Sequence, residues 1–165
     1  AEGFITGIIA HPLDGDIRYA RTDVGGCYRW IPETGEWKQL MEFIPYEERN
    51  LISVNGFAVD PNNKDIIYIL CGGNSSKTPQ QLLKSYDRGD TWINTYFDLP
   101  SHNGVTRSTG ERVAVDPNNS DIVYVGTFNN GLWRSLDAGK TWNQIAKNIE
   151  EKTNKKGKKA KSVSH

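Results

Sequence analysis

The chain is 165 residues long, the size of one ordinary domain, and its 20 basic and 20 acidic side chains cancel to a formal net charge of zero. Hydrophobic residues make up 36% of it, yet no stretch is long and apolar enough to cross a membrane as a helix. Three scattered histidines, no Cys-x-x-Cys pair and no Gly-x-x-x-x-Gly-Lys-Ser/Thr phosphate loop argue against a zinc or nucleotide site, so no metal and no cofactor are expected.

In chain order, Ala1-Glu2-Gly3 carries neither an initiator methionine nor a signal peptide, which reads as processing or trimming. Ile9-Ala10-His11-Pro12 is the first and most worn of three related phrases, the others being Ala58-Val59-Asp60-Pro61 and Ala114-Val115-Asp116-Pro117. A second set follows each of them: Asp16-Ile17-Arg18-Tyr19, Asp65-Ile66-Ile67-Tyr68 and Asp121-Ile122-Val123-Tyr124. The prolines at 12, 61 and 117 lie 49 and 56 residues apart. That period fits a propeller blade, four strands in about 40–50 residues plus loop insertions. His11 occupies the place of Asp60 and Asp116 and reads as a turn residue.

Behind the first copy the pattern changes. Ala20-Arg21-Thr22-Asp23-Val24-Gly25-Gly26-Cys27-Tyr28-Arg29-Trp30 stands where the later copies have Leu70-Cys71-Gly72-Gly73 and Gly126-Thr127-Phe128-Asn129. A charged Arg-x-Asp between a strand and a Gly-Gly turn is not what blade packing needs, and loops on rigid strands are where function sits. The pair reads two ways. Asp23 is a general base kept ionised by Arg21, or the two form a structural salt bridge. Tyr28, Trp30 and Trp133 belong either to a sugar-binding groove or to the blade core, since aromatic faces stack on sugar rings as well as on each other.

The second and third copies spell out a blade. Residues 56–59 and 112–115 read as first strands, 66–70 and 122–125 as buried second strands, and 131–135 as a third strand. Asp-Pro-Asn-Asn makes the turn between the first two. Each copy then ends on S-x-D-x-G-x-T-W, at Ser85–Trp92 and Ser135–Trp142. Ser85, Asp87, Ser135 and Asp137 are suited to bonding local backbone N–H groups. Gly89 and Gly139 permit positive φ, and Trp92 and Trp142 fill the core, with Thr141-Trp142 opening the fourth strand. These residues are read as a folding device. Cys27 and Cys71 fall at non-equivalent places and are expected as separate buried thiols.

Residues 150–165 hold six lysines and two glutamates, a local +4 that leaves −4 on the other 149 residues. The stretch lacks aromatics, so a solvated loop or tail, or the start of a next blade, is expected rather than a nucleic-acid site. Three blades do not close a ring of four to eight. The chain therefore reads as part of something larger, or as a subunit that oligomerises. The organisation expected is a partial propeller over residues 1–149, with blade-like repeats at about 3–46, 47–98 and 105–147.

Gly3-Phe4-Ile5-Thr6-Gly7-Ile8, Tyr19–Trp30, Gly110–Asn118 and Gly131–Ser135 together resemble the N-terminal region of glycoside hydrolase family 74, over roughly residues 3–146. The S-x-D-x-G-x-T-W phrase is the Asp-box, shared with sialidases and sortilin-type receptors and specific for fold only. The resemblance implies an all-β fold, about three blades of a seven-bladed propeller that faces a second propeller across an open cleft. It implies inverting hydrolysis of β-1,4-glucans of the xyloglucan type by a secreted, periplasmic or cell-surface enzyme, with Asp23 as general base and a general acid outside this chain. Arg21, Tyr28, Trp30, Asn50 and Arg112 are candidate substrate-binding or support residues by loop position. The expected partners are a poly- or oligosaccharide and the remainder of the two propellers, not nucleic acid or a membrane. Arg49 and Asn55 depart from the family's tryptophan and aspartate, and the loop 101–109 is atypical, which leaves room for another glucan as substrate. The alternative reading is a non-catalytic Asp-box propeller that binds a glycan or protein.

Overall fold

The computed structural model describes residues 3–73, 79–99, 110–127, 130–147, 149–153 and 159–163. The atypical loop 101–109 and the lysines at 155, 156 and 158 lie outside these residues.

Three four-stranded antiparallel sheets follow one another along the chain. The first contains β1 (Ile5–His11), β2 (Asp14–Thr22), β3 (Cys27–Ile31) and β4 (Glu36–Gln39). A 3-10 helix over Tyr46–Ile52 leads into the second, β5 (Val54–Asp60), β6 (Asn63–Gly72), β7 (Gln80–Ser85) and β8 (Ile93–Leu99). The third contains β9 (Val113–Asp116), β10 (Asn119–Gly126), β11 (Leu132–Ser135) and β12 (Asn143–Ala146). Each is a simple meander in chain order, and β5 packs against both β1 and β9, so the first strands of successive sheets stand together as propeller blades do around an axis. The fourth strands open at Ile93 and Asn143, one residue after each Asp-box tryptophan. The lysine-rich end holds a hairpin, β13 (Ile149–Thr153) paired with β14 (Lys159–Val163).

The middle sheet explains the long apolar runs. Phe57, Val59, Ile67, Ile69, Cys71 and Leu83 pack towards the first sheet, with Tyr19, Cys27, Leu40 and Met41. Ala58, Tyr68, Leu70, Leu82 and Phe97 pack towards the third, with Val113, Val115, Val123 and Val125. A strand buried on both faces loses the polar/apolar alternation, and every residue of β5 is buried. Strand β9, covered on one face, alternates. Cys27 and Cys71 are free and buried, and burial pushes both thiols up to about 12.

The turns stitch neighbouring sheets. His11 is buried; its Nδ1 accepts from the Leu13 N–H at 3.1 Å and its Nε2 lies 2.8 Å from the Asp60 carbonyl. The first bond fixes the tautomer with the proton on Nε2. The same acceptor role falls to Asp60 and Asp116, whose Oδ1 atoms accept from the Asn62 and Asn118 N–H groups. His11 is a turn residue that also donates across to the second sheet.

Candidate active site

A meander has two ends. One carries the turns between first and second strands and between third and fourth. The other carries the turns between second and third strands and the connections between sheets.

The first end holds the Asp-boxes. Ser85 Oγ accepts from the Gly89 N–H at 2.7 Å and donates to Asp87 Oδ1 at 2.7 Å, and Thr91 binds Asp87 through its N–H (2.8 Å) and its hydroxyl (2.6 Å). Ser135, Asp137, Gly139 and Thr141 repeat these bonds to within 0.1 Å. Arg88 and Ala138 sit at φ 64° and 58°, and Gly89 and Gly139 at 94° and 93°, so two consecutive left-handed residues make the turn. Burial pushes the Asp87 carboxyl up, but the Thr91, Ser85 and Asp90 hydrogen bonds outweigh it and hold it at about 2. The Thr141 and Ser135 bonds hold Asp137 at about 2 as well. The Trp92 indole donates to the Leu40 carbonyl of the first sheet at 3.1 Å. The Trp142 ring lies edge-on to Phe97 at 4.8 Å. Both boxes are tied up internally, as a folding device is.

The other end carries Asp23. Thr22 closes the turn beneath it: its N–H donates to the Gly26 carbonyl at 2.9 Å, and its hydroxyl accepts from the Gly25 N–H at 2.7 Å. Gly26 takes φ 86°. The third sheet has the same frame, with Thr127 bonding Gly131 and Asn130 and with Gly131 at φ 71°. The Thr–Gly bonds thus recur at a place where the two sequences differ. Asp23 is gripped from two sides. Its N–H donates to the Phe4 carbonyl at 3.2 Å, and its Oδ1 accepts from the Phe4 N–H at 3.1 Å. Its carbonyl accepts from the Ser53 hydroxyl at 3.1 Å.

Arg21 is placed differently from either sequence expectation. It pairs with Glu111, Nε to Oε1 at 2.9 Å, rather than with Asp23, and its side chain is fully buried. Its remaining donors reach Thr6 Oγ1 (2.6 Å) and the Val54 and Gly110 carbonyls. With its fork spent on protein, Arg21 supports the site from beneath and has no face for a substrate. Asn50 lies in the 3-10 helix at this end, its carbonyl accepting from the Ser53 N–H. Tyr28 is half-buried one residue into β3, and burial, then Cys27, raises its hydroxyl pKa. Arg112 is half-buried just before β9, where burial, then the Arg21 charge, lowers its pKa. Trp30 is set apart: it stacks edge-on against Trp37 at 5.5 Å and lines an open cleft of about 700 Å³ with Arg29, Asp90 and Tyr86, beside the Asp-box.

Sequence reasoning missed Phe4, Ser53 and Glu111. Their signal is three-dimensional: partners 19, 30 and 90 residues away in the chain. Phe4 and Tyr46 are well exposed, and Arg49 lies over the Tyr46 ring at 4.3 Å. Among the described residues no group of three or more His, Cys, Asp or Glu is placed to hold a metal ion.

No protein-family model matches the chain. It is 41% identical over 148 residues to a xyloglucanase from a Paenibacillus species, a match that takes in 87% of this chain and 14% of that protein. It is 39% identical to the xyloglucanase Xgh74A of Acetivibrio thermocellus, over 87% of this chain and 18% of the relative. Among solved structures, a family 74 xyloglucanase from Xanthomonas campestris superposes with a TM-score of 0.82 at 33% identity, covering 96% of this chain and 24% of that one. A family 74 enzyme from Niastella koreensis gives a TM-score of 0.77 at 38% identity, over 86% and 21%. The chain spans a quarter or less of the relatives it matches.

Proposed function

We propose that the chain, by its likeness to family 74 glycoside hydrolases, is a segment of such an enzyme's all-β propeller architecture, that it supplies the general base of a secreted xyloglucan-cleaving hydrolase, and that the base is Asp23. The supporting observation is the fixation of this one carboxylate. Phe4 and Ser53 hold its backbone, the Thr22–Gly26 turn projects it from a strand end, and Phe4 N–H occupies Oδ1. Oδ2 then takes the proton of the attacking water.

Inversion needs a second carboxyl about 6.5–9.5 Å away, protonated, to donate to the leaving oxygen while the water attacks from the opposite face. That acid comes from the remainder of the protein, as does the far wall of the cleft. The substrate is a decorated β-1,4-glucan, held by polar side chains at this end and by exposed rings such as Tyr46. Export follows from a polysaccharide that lies outside the cell. No helix among the described residues is long and apolar enough to cross a membrane.

The stereochemistry is the test. Proton NMR of the first products released from xyloglucan by the full-length protein should show the α-anomer before mutarotation. A β-anomer at the earliest times would rule out an Asp23-activated water attacking directly. No hydrolysis at all would favour the non-catalytic binding propeller.

A further inference from the structure

Glu111 lies two residues before β9, where the chain enters the third sheet, yet both of its carboxylate oxygens are spent elsewhere. Oε1 accepts from Arg21 Nε at 2.9 Å, and Oε2 accepts from the Phe57 N–H of β5 at 2.8 Å. Arg21 sits at the end of β2, two residues before Asp23, and its guanidinium also bonds Thr6 of β1 and the carbonyls of Val54 and Gly110. One ion pair, buried on its Arg21 side and 33% exposed on its Glu111 side, therefore joins all three sheets beneath the turn that carries Asp23. Space has been kept for it. A Cβ on Gly7 would stand 2.5 Å from Glu111 Oε1 and 2.8 Å from Arg21 Nε, closer than side-chain carbons approach such atoms.

An ion pair with one buried and one exposed partner is weak evidence of stability, because desolvation and solvent screening cancel most of its attraction. Here the geometry has another use. The planar fork of an arginine fixes direction as well as charge. Phe4, which grips Asp23 from just before β1, and Thr6 of β1, which binds Arg21, are two residues apart in the chain. We propose that Glu111 is a positioning residue for the base: by locking the Arg21 fork to the second and third sheets, it sets where the Asp23 carboxylate stands relative to the substrate. The inference rests on the reading of Asp23 as the base.

The experiment compares full-length wild type, Glu111→Gln, Arg21→Lys and Asp23→Asn on xyloglucan, with melting temperature and folded fraction measured for each. A glutamine at 111 keeps the shape but can accept through one oxygen only, so either the Arg21 bond or the Phe57 bond is lost. A lysine at 21 keeps the charge and loses the fork. Misplacing a catalytic group by about 1 Å costs on the order of 100-fold. The expected result is a fall in kcat of about 10- to 100-fold for Glu111→Gln and Arg21→Lys, with KM within about threefold and a folded fraction equal to wild type. A purely structural pair would lower the melting temperature and leave kcat per folded molecule unchanged, and that outcome overturns the proposal. So does a Glu111→Gln protein that cannot be recovered folded, because the pair is then a folding requirement. Asp23→Asn separates the two levels: if it is inactive while Glu111→Gln turns over like wild type, positioning alone fails; if it stays active, the base assignment fails and the inference with it.

Discussion

The serine of each Asp-box is a small residue with a large hydrogen-bonding duty. Ser85 Oγ is buried and serves the Gly89 and Asp87 N–H groups at once, while donating to the Asp87 carboxylate. Ser85→Ala leaves those buried groups unpaired, a loss of about 1–3 kcal/mol, measurable as a lower urea midpoint at unchanged slope. Gly89→Ala fails for a different reason: φ is 94°, and the new methyl stands 2.8 Å from Leu40 Cδ1. A Ser85→Ala protein as stable as wild type would contradict the hydrogen-bond reading. The carboxylates add a pH signature. Asp87 and Asp137 are held at about 2 in the folded chain against their ordinary 3.8. A depressed carboxylate stabilises the fold above its unfolded value and ceases to as pH falls through its folded value. Stability should therefore drop between pH 3.8 and about 2, the window set by these two carboxyls. The double variant Asp87→Asn/Asp137→Asn should flatten that part of the curve of unfolding midpoint against pH.

Neighbouring sheets are joined by a repeated bond at the scale of elements. The Tyr19 hydroxyl donates to the Arg88 carbonyl in the second sheet's Asp-box at 3.4 Å, and the Tyr68 hydroxyl to the Ala138 carbonyl in the third sheet's at 3.2 Å. Tyr68→Phe removes one buried donor and should cost about 1 kcal/mol. Phe97→Ala, which empties the edge-on stack with Trp133 and Trp142, should cost about 3–5 kcal/mol. Equal stability of the two variants would contradict this packing. These elements are legible in the sequence because turn chemistry punctuates them: Asp-Pro-Asn-Asn and the Asp-box mark the first and third reversals of the second and third sheets, the strands at 54–60, 63–72 and 119–126 extend by a few residues beyond the apolar runs that announce them, and the strand at 113–116 falls within one residue of its run. The 3-10 helix at Tyr46–Ile52 was not legible. It has no apolar period, and it owes its shape to Pro45 and to the burial of Leu51 in the core between the first two sheets.

Taken whole, the molecule leaves its outer sheet faces open. Ile5 and Ile8 on the first sheet, and Leu132 and Ile145 on the third, are exposed. Tyr124 holds in the third sheet the place that Tyr19 and Tyr68 hold in the first two. If the remainder of the propeller follows as proposed, Tyr124→Phe should destabilise the full-length protein as Tyr68→Phe does and leave the 165-residue chain unchanged in its urea midpoint. The 165-residue chain alone, without a second carboxyl across the cleft, should release no reducing sugar from xyloglucan. Of the proposed site, the sequence singles out Asp23 and conceals the residues that hold it. Asp23 stands in a phrase that blade packing does not need, but Phe4, Ser53 and Glu111 meet it or Arg21 only through the fold, and Arg21 looks like a partner of Asp23 until Glu111 is seen to take it. The central claim is that Asp23 is the base. Its most direct test is turnover of xyloglucan by the full-length protein carrying Asp23→Asn. Loss of a positioned general base should lower kcat by at least about 100- to 10,000-fold with the folded fraction intact, and an Asp23→Asn protein that hydrolyses xyloglucan at the wild-type rate would contradict the account.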